Sequence, residues 1–525
     1  MFKFLLALAL TIAPSSAVAA WNVATSEHFT VYSAGSDASV REAAAQLEKF
    51  HVALRYLSGA GAPSSPIRVT VFLVSDVDAV QAAMPFGGGG VAGFYAATLR
   101  GPYTIMSRTK IQGSKGSRGE FYVADMAAQQ ILFHELTHHF MRQYFPAAYP
   151  VWYSEGFAEY LGSIQIESND TVVVGNLLDS RYAAFENNEW LSVRQLLTAK
   201  SYRDVSTNVY LLYSEGWLLV HYLNNAGVRQ GQLRKYLDAV NKGTAFDQAA
   251  REAFGDLDQL DRELRGYASK SRLKALALPF KKLESGAIAT RKASPAEEAM
   301  LSYDMRMYAG VPARDVGTFA DKVADAARSH MADPYALRLA AEAQRLAGRN
   351  DRAAEFVDHW LEVAPDDGRA IAAKADLLID RLAATGDKDA ERWTAARKLY
   401  AEAAKKTPDD PRILRGFYMS YVKAGRLPPE AAQNALYRAF ELMPQYDDMR
   451  AQVASDFEAR GMIDAAIATI RPAAFLSVDP SGLSESEKRK RDKEKVRYRI
   501  AGETDGETAR EMLIRLEALK AKSAK

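Results

Sequence analysis

Residues 134–138 read His-Glu-Leu-Thr-His, and this segment predicts a metal-binding helix. Because residues four apart lie on one face of a helix, His134 and His138 can direct their imidazoles at a single ion. Glu135 follows about 100° further round the helix, at the edge of that face. From there its carboxylate can reach a water molecule on the ion without binding the ion itself, as a general base must.

A second segment, Trp-Tyr-Ser-Glu-Gly-Phe-Ala-Glu-Tyr at residues 152–160, supplies further carboxylates. Pro146 and Pro150 end the first helix and let the chain turn back into a second one. On that helix Glu155 and Glu159 are four residues apart and share a face. We expect Glu155 to be the third ligand of a zinc ion (Zn²⁺), with the fourth position left for water. We expect Glu159 to accept the free ring N–H of one zinc-binding histidine.

Together the two segments resemble the gluzincin clan of zinc metallopeptidases, which includes thermolysin and aminopeptidase N. They are most similar to the small peptidase-MA-like families of bacteria. In that clan the Glu before Gly is the third zinc ligand, and Glu155 corresponds to it. Thermolysin-like members carry Asp four residues later, whereas this chain has Glu159. The resemblance covers residues 120–225 and implies a zinc-dependent peptidase.

A third segment, Tyr-Ser-Glu-Gly-Trp at residues 213–217, precedes an apolar helix. It is similar to the Tyr-Glu-Lys-Gly segment of aminopeptidase N. The tyrosine of that clan donates a hydrogen bond to the tetrahedral oxyanion, so the resemblance gives this catalytic role to Tyr213. Tyr210, one helical turn earlier, is an alternative, and simple core packing is another interpretation of Tyr213. We expect His139 and His221 to be structural.

The sequence also departs from aminopeptidase N. Those enzymes carry a Gly-x-Met-Glu-Asn strand before the metal helix, and its Glu binds the free amine of the substrate. The corresponding segments here, residues 93–98 and 103–107, contain no acidic residue. An endopeptidase is therefore favoured, and an aminopeptidase with an unrecognised amine site is an alternative.

The amino terminus predicts a secretory signal peptide over residues 1–20. Lys3 gives a basic start, residues 4–13 form an apolar run too short to span a bilayer, and Ala17-Val18-Ala19-Ala20 offers a cleavage site. No later stretch reaches about eighteen continuous apolar residues, so we expect no membrane span. The chain has no cysteine, which excludes disulfides and cysteine-based zinc clusters. We expect a periplasmic or secreted protein.

Composition limits the partners and the number of domains. The net charge is +2, from 67 basic and 65 acidic residues, which gives no global attraction to nucleic acid. A chain of 525 residues with 48% hydrophobic content can build two or three cores. Strand-like alternation at 28–32 and 67–74 and helical spacing at 39–57 predict a small mixed sheet with helices. We assign residues 21–275 to this metallopeptidase domain.

The second half of the chain is rich in alanine and in helix-forming segments. Prolines at 334, 365, 408 and 444, separated by 31, 43 and 36 residues, mark successive helical pairs. A tetratricopeptide array has a period of about 34 residues, and residues 290–475 resemble a degenerate array of this type. Such arrays hold peptides or partner proteins, although a helical extension that only supports the catalytic domain is an alternative. Residues 476–525 predict a charged helical tail.

The predicted fold class is therefore α+β, with a gluzincin-like catalytic domain followed by an all-α tetratricopeptide-like array. The predicted function is zinc-dependent hydrolysis of peptide or protein substrates, with the repeats recruiting the substrate or a protein partner. A non-catalytic periplasmic scaffold that works through its repeats is the alternative from another class. The intact Glu135 argues against that alternative, because a scaffold has no need for a base at this position.

Overall fold

A computed structural model describes residues 21–84, 93–108, 128–177, 185, 190–205, 209–270, 273–280, 283–475, 498–499 and 507–523. The expected signal peptide, residues 1–20, and most of the charged tail lie outside these ranges. No helix among the described residues is both long enough and apolar enough to cross a membrane.

A six-stranded mixed sheet forms the first layer, with strand order β4-β5-β3-β2-β1-β9. Its strands are β1 (Asn22–Thr25), β2 (Phe29–Ser33), β3 (Val69–Val74), β4 (Gly93–Thr98), β5 (Gly101–Ser107) and β9 (Ala289–Lys292). β3 runs parallel to both β2 and β5, whereas the other pairs are antiparallel. The predicted mixed α+β fold is confirmed.

Helix α1 (Asp37–Ser58) covers one face of this sheet. The helix begins after Ser36, whose side chain accepts a hydrogen bond from the Ser39 amide, as an N-cap residue does. Strand β2 alternates buried and half-buried residues, which gives it one face for the core. Val31 from that face shares a core with Phe50 of α1 and Phe133, and the last two rings stack 3.8 Å apart. Phe133 directly precedes His134, so the metal-binding helix predicted from the sequence packs on this core.

Further helices complete the first domain. They are α2 (Val77–Ala83), α3 (Ala128–Tyr144), α4 (Val151–Gly162), α5 (Val193–Thr198), α6 (Val209–Asn225), α7 (Gln232–Asn241), α8 (Phe246–Phe254) and α9 (Leu257–Ala268). A small antiparallel sheet contains β6 (Gln165–Ile166), β7 (Thr171–Val174) and β8 (Leu276–Pro279). Strands β8 and β9 follow residue 275, so both sheets use chain from beyond the predicted domain boundary.

The second half of the chain is a series of helices. They are α10 (Pro295–Ala309), α11 (Val316–Ala327), α12 (Pro334–Leu346), α13 (Asn350–Val363), α14 (Gly368–Thr385), α15 (Ala390–Lys406), α16 (Pro411–Val422), α17 (Glu430–Leu442), α18 (Asp447–Ala459) and α19 (Ile463–Ala474). From α12 onward they pack as four successive helix-turn-helix pairs. Their first helices begin at intervals of 34, 43 and 36 residues. The predicted helical repeat array is confirmed.

Two turns of the array begin with an Asp-Pro pair, Asp333-Pro334 and Asp410-Pro411. Asp333 and Asp410 are N-cap residues whose side chains accept hydrogen bonds from amides of the first turn. Pro334 and Pro411 occupy the first helical position, where a missing N–H costs nothing. A final helix, α20 (Ala509–Ser523), packs on α19, and β10 (Val311–Pro312) pairs with β11 (Tyr498–Arg499).

Candidate metal centre

Three donor atoms converge between helices α3 and α4. His134 Nε2 and His138 Nε2 are 3.2 Å apart, and Glu155 Oε2 lies 3.3 Å from the first and 3.5 Å from the second. His134 and Glu155 are buried, and His138 is half-buried. In the part of the chain that the structure describes, this is the one group of three or more His, Cys, Asp or Glu residues able to hold a metal ion.

The spacing of these donors fits zinc. Zinc bonds of about 2.0–2.1 Å in a tetrahedral arrangement separate the ligand atoms by about 3.3–3.4 Å. The three distances here, 3.2, 3.3 and 3.5 Å, lie around that value. Two imidazoles and one carboxylate are also a ligand set typical of catalytic zinc. His134, His138 and Glu155 therefore satisfy both the geometry and the chemistry of a zinc site.

A further side chain lies against each of the three residues. Glu159 Oε1 lies 3.1 Å from His134 Nδ1, on the side of the ring opposite the donor nitrogen. Ser154 Oγ lies 3.3 Å from His138 Nδ1. The Tyr202 hydroxyl donates a hydrogen bond of 2.5 Å to Glu155 Oε1, the oxygen that does not face the histidines. Such contacts fix ring orientation and tautomer at metal sites.

The electrostatics of the cluster favour positive charge. Burial acts to lower the pKa of His134, but the carboxylates of Glu159 and Glu155 outweigh burial and raise the pKa to about 10. Burial acts to raise the pKa of Glu155, but His138 and His134 outweigh it and hold the pKa well below its usual value. The carboxylates therefore create a negative environment that suits a divalent cation.

Glu135 lies beside the donors without joining them. Its Oε2 accepts a hydrogen bond of 3.0 Å from the backbone N–H of Tyr95, in strand β4. Burial raises the pKa of Glu135 above its usual value, although His134 and His138 act in the opposite direction. A carboxylate with a raised pKa that is held in place next to three candidate metal ligands has the properties of a general base.

Two tyrosines flank the cluster. The Tyr213 ring, on α6, lies 6.2 Å from the His134 ring and is half-buried. The Tyr202 ring stacks on the Tyr213 ring, with 6.4 Å between the ring centres. Tyr202 is 43% exposed, although its hydroxyl reaches Glu155. Burial and then the charge of Glu155 raise the pKa of both hydroxyls, so both stay protonated and can donate hydrogen bonds. Tyr210 packs at the edge of the domain core.

The contact between α4 and α6 brings Glu155 and Tyr213 together. The two helices meet at Gly156 and Gly216, where neither position has room for a Cβ atom. Both glycines end the same tetrapeptide, Tyr-Ser-Glu-Gly, which occurs at residues 153–156 and again at 213–216. The two glutamates have different environments, because Glu215 is fully buried and accepts a 2.6 Å hydrogen bond from the Leu191 amide.

The other two histidines discussed above are structural. His139 is buried, its Nδ1 lies 3.0 Å from the Tyr95 hydroxyl, and burial lowers its pKa to about 3. His221 is also buried, with Gly175 O 3.0 Å from Nε2 and the Tyr267 hydroxyl 2.9 Å from Nδ1. Both are buried histidines whose rings have polar partners within the core.

Sequence reasoning missed Tyr202, Ser154 and Tyr95. Tyr202 belongs to a short 3₁₀ helix, Tyr202–Val205, that no motif marks. Tyr95 contributes a backbone amide, a group that every residue except proline possesses. Ser154 directly precedes Glu155, so its position was available in the quoted segment, but its contact with His138 was not.

Known proteins of similar sequence or fold add little to this description of the site. No family model matches the chain, and no curated protein matches it. One similar solved structure is a thermophilic TPR protein of Thermus thermophilus, with 18% identity and a TM-score of 0.27, covering 37% of this chain and 90% of that one. Another is the MamA RS-1 ArsTM double mutant, with 17% identity, a TM-score of 0.24, and coverage of 31% and 85%.

A third is PilW, described as a widely conserved type IV pilus biogenesis factor. It has 20% identity and a TM-score of 0.26, and the match covers 31% of this chain and 72% of that one. Scores this low do not relate the fold of the whole chain to any of the three structures.

Proposed function

We propose that this protein is a zinc-dependent peptidase, located in the periplasm or secreted, with Glu135 as its general base. The observation that carries the proposal is the convergence of His134, His138 and Glu155 donor atoms within 4.8 Å of one another, beside a carboxylate that is not a donor. Three protein donors together with an adjacent base are the minimum set for hydrolysis by activated water.

Each residue of the site has a separate task. His134, His138 and Glu155 would hold zinc, which when bound polarises a carbonyl and lowers the pKa of water. Glu135 accepts the proton of the attacking water as the new C–O bond forms. It then gives that proton to the amine as the C–N bond breaks. Glu135 therefore returns to the ionised state in which it began. The Tyr213 hydroxyl donates a hydrogen bond to the oxyanion of the substrate.

We further propose that cleavage occurs inside peptides. Strand β4 lies next to Glu135 and pairs with β5, and neither strand contains an acidic residue to bind a free amino terminus. An amine without such a partner would be poorly stabilised close to the cluster, where the metal is itself positive. The aminopeptidase alternative requires an acid from elsewhere in the chain.

Mass-spectrometric mapping of cuts in a diverse peptide library tests this function. The zinc-loaded protein should produce internal cuts, and the Glu135→Gln variant should produce none while it binds zinc equally well. Cuts confined to free amino ends would support the aminopeptidase alternative. Cuts that persist in Glu135→Gln would contradict the proposed role of Glu135.

A non-catalytic scaffold is the second candidate function. It is supported by the four helix-turn-helix pairs, because such arrays present extended surfaces to protein partners. The two candidates separate in the source organism if the gene is replaced by the Glu135→Gln variant. A scaffold would retain its function with this substitution, whereas a peptidase would lose it.

A further inference from the structure

The helical array packs against the tip of the β4–β5 hairpin. Thr98 pairs with Gly101, so Leu99 and Arg100 form a two-residue tip. Leu99 and Ala97 pack against the apolar cluster formed by α16, α17, α18 and the residues between the last two. The helices of the repeats therefore contact the catalytic domain itself.

Arg100 is the charged part of this contact. Its side chain is only 4% exposed, and its guanidinium bonds to Asp304 of α10 and Glu342 of α12. It also lies 4.8 Å from the centre of the Tyr308 ring. A buried guanidinium is tolerated only when carboxylates compensate its charge, so both acids are needed for this arrangement.

The array holds those two carboxylates in place from several helices. Asp304 accepts a 3.0 Å hydrogen bond from the Tyr335 hydroxyl. Glu342 lies 3.2 Å from Arg338 of α12 and 3.5 Å from Arg412 of α16. The side chains around Arg100 thus come from α10, α12 and α16, and they include two carboxylates that compensate its charge.

The hairpin connects this contact to the candidate metal centre. Strand β4 is the outermost strand of the described sheet and pairs only with β5 there. Its Tyr95 amide donates the hydrogen bond to Glu135 Oε2, and the tip begins four residues further along. An edge strand is hydrogen-bonded within the sheet along one side only, so contacts at its tip help to fix where the Tyr95 amide lies.

A second contact joins the array to the metal helix. Arg142, near the end of α3, has its Nη2 3.3 Å from Asp447 Oδ2 of α18. A cavity of about 30 Å³ remains at this contact, lined by His138 and Met141 on one side and Pro444 and Arg450 on the other. The array therefore contacts both α3, which carries Glu135, and β4, whose Tyr95 amide bonds to Glu135.

We propose that Arg100 is a positioning residue, through which the helical array fixes strand β4 and so places the Tyr95 amide against Glu135. The catalytic consequence rests on the proposed peptidase function, whereas the effect on β4 does not. On this account the first helices of the array support the catalytic domain at this contact.

Hydrogen exchange measured by mass spectrometry on the full chain tests the proposal. Arg100→Gln and Glu342→Gln should each accelerate exchange of the Gly93–Thr98 amides by about tenfold or more. Arg100→Lys should restore part of the protection, since it keeps the charge. The matched control is Asp380→Asn, because Asp380 bonds to Arg345 and Lys423, both within the array, at 2.8 and 2.6 Å. The control should leave β4 exchange unchanged.

Kinetics complete the test. Arg100→Gln and Glu342→Gln should retain one zinc per chain and lower kcat for peptide cleavage about tenfold, with KM nearly unchanged. Unchanged β4 exchange in both variants would overturn the proposal, as would equal acceleration in Asp380→Asn. Faster exchange with full kcat would overturn the positioning role. If the wild-type chain cleaves no peptide, the proposed function fails, and the exchange result alone decides whether the array holds β4.

Discussion

Gly156 and Gly216 bring helices α4 and α6 into backbone contact. A Cβ atom on Gly156 would lie 2.3 Å from the carbonyl carbon of Gly216, and one on Gly216 would lie 2.7 Å from the Trp152 oxygen. Because Glu155 adjoins one glycine and Tyr213 lies three residues before the other, this contact sets the distance between the proposed metal ligand Glu155 and the proposed oxyanion partner Tyr213.

Gly156→Ala should therefore separate the helices. We expect it to lower the free energy of unfolding by about 2–3 kcal/mol, through overpacking against backbone. Zinc affinity should fall too, because Glu155 moves with α4. Urea denaturation and zinc titration measure the two effects. The control is Gly266→Ala on α9, where a Cβ atom would meet no other atom within 4 Å. This substitution should stabilise the helix by about 0.5–1 kcal/mol. A Gly156→Ala variant as stable as the wild type would contradict the close contact.

Tyr202→Phe should weaken zinc binding. The substitution removes the 2.5 Å hydrogen bond to Glu155 Oε1 and leaves the ring stacked on Tyr213. Loss of a contact that orients a ligand typically costs about 10–100-fold in metal affinity. Competition with a chelator measures the change, and unaltered affinity would show that Tyr202 does not orient Glu155.

Tyr213→Phe should slow catalysis without weakening zinc binding. Because Tyr213 is assigned to the oxyanion and not to a zinc ligand, zinc affinity should stay the same. The value of kcat should fall by about 10²–10³-fold, as it does when an oxyanion donor is removed. Steady-state kinetics of peptide cleavage at full zinc occupancy provide the measurement. If kcat falls in Tyr202→Phe instead, the two tyrosines have exchanged roles.

Glu215 should make the protein less stable as pH rises. It is fully buried, its Oε2 has no hydrogen-bond partner among the residues that the structure describes, and burial raises its pKa to about 8. The folded state therefore retains a proton that the unfolded state has lost above about pH 4.3, and stability falls between there and about pH 8. Glu215→Gln should remove this slope and be more stable than the wild type at pH 8, by on the order of 3 kcal/mol.

Unfolding free energies at pH 5, 6.5 and 8 measure this effect. The control is Glu402→Gln, since Glu402 is exposed on α15, and it should leave the slope intact. If Glu215→Gln follows the wild-type pH dependence, Glu215 is ionised in the folded protein.

Asp410 should stabilise the array in a pH-dependent way. Its carboxylate lies 2.7 Å from Arg369 and 3.1 Å from Arg412, and burial acts to raise its pKa. The two arginines outweigh burial and hold the pKa well below its usual value. This stabilisation is present above about pH 4 and is lost as pH falls further.

Asp410→Asn should cost about 3 kcal/mol at pH 7, and the difference from the wild type should shrink towards pH 3. Circular dichroism during urea denaturation follows the loss of helix. Asp351→Asn is the control, because the Asp351 side chain is 90% exposed and its pair with Arg381 should contribute less than about 0.5 kcal/mol. Equal effects of the two substitutions would contradict the importance of burial at Asp410.

Local patterns in the sequence predict much of the candidate site. His134 and His138 meet because helical spacing requires it, and prolines at 146 and 150 mark the turn that the structure has between α3 and α4. Strands β2 and β3 follow from the strand-like alternation at residues 28–32 and 67–74. The assignment of Glu155 needed the resemblance as well, because spacing alone does not bring a residue on another helix to the same point.

Contacts between distant parts of the chain could not be predicted. Tyr202 reaches Glu155 across 47 residues, and Arg100 reaches Asp304 across 204. An arginine in a two-residue turn is expected on the surface, so nothing local indicates that Arg100 is buried by the array. One usable signal was present, since the repeated Tyr-Ser-Glu-Gly marks two helices with small residues at matching positions.

The central claim is that His134, His138 and Glu155 form a zinc site to which Glu135 is adjacent but not bound. Equilibrium dialysis against zinc, followed by elemental analysis, tests it most directly. We predict one tightly bound zinc per chain in the wild type and in Glu135→Gln, and a loss of affinity of at least about 100-fold in His138→Ala and Glu155→Ala. Zinc content that is unchanged in His138→Ala and Glu155→Ala, or lost in Glu135→Gln, would contradict the account.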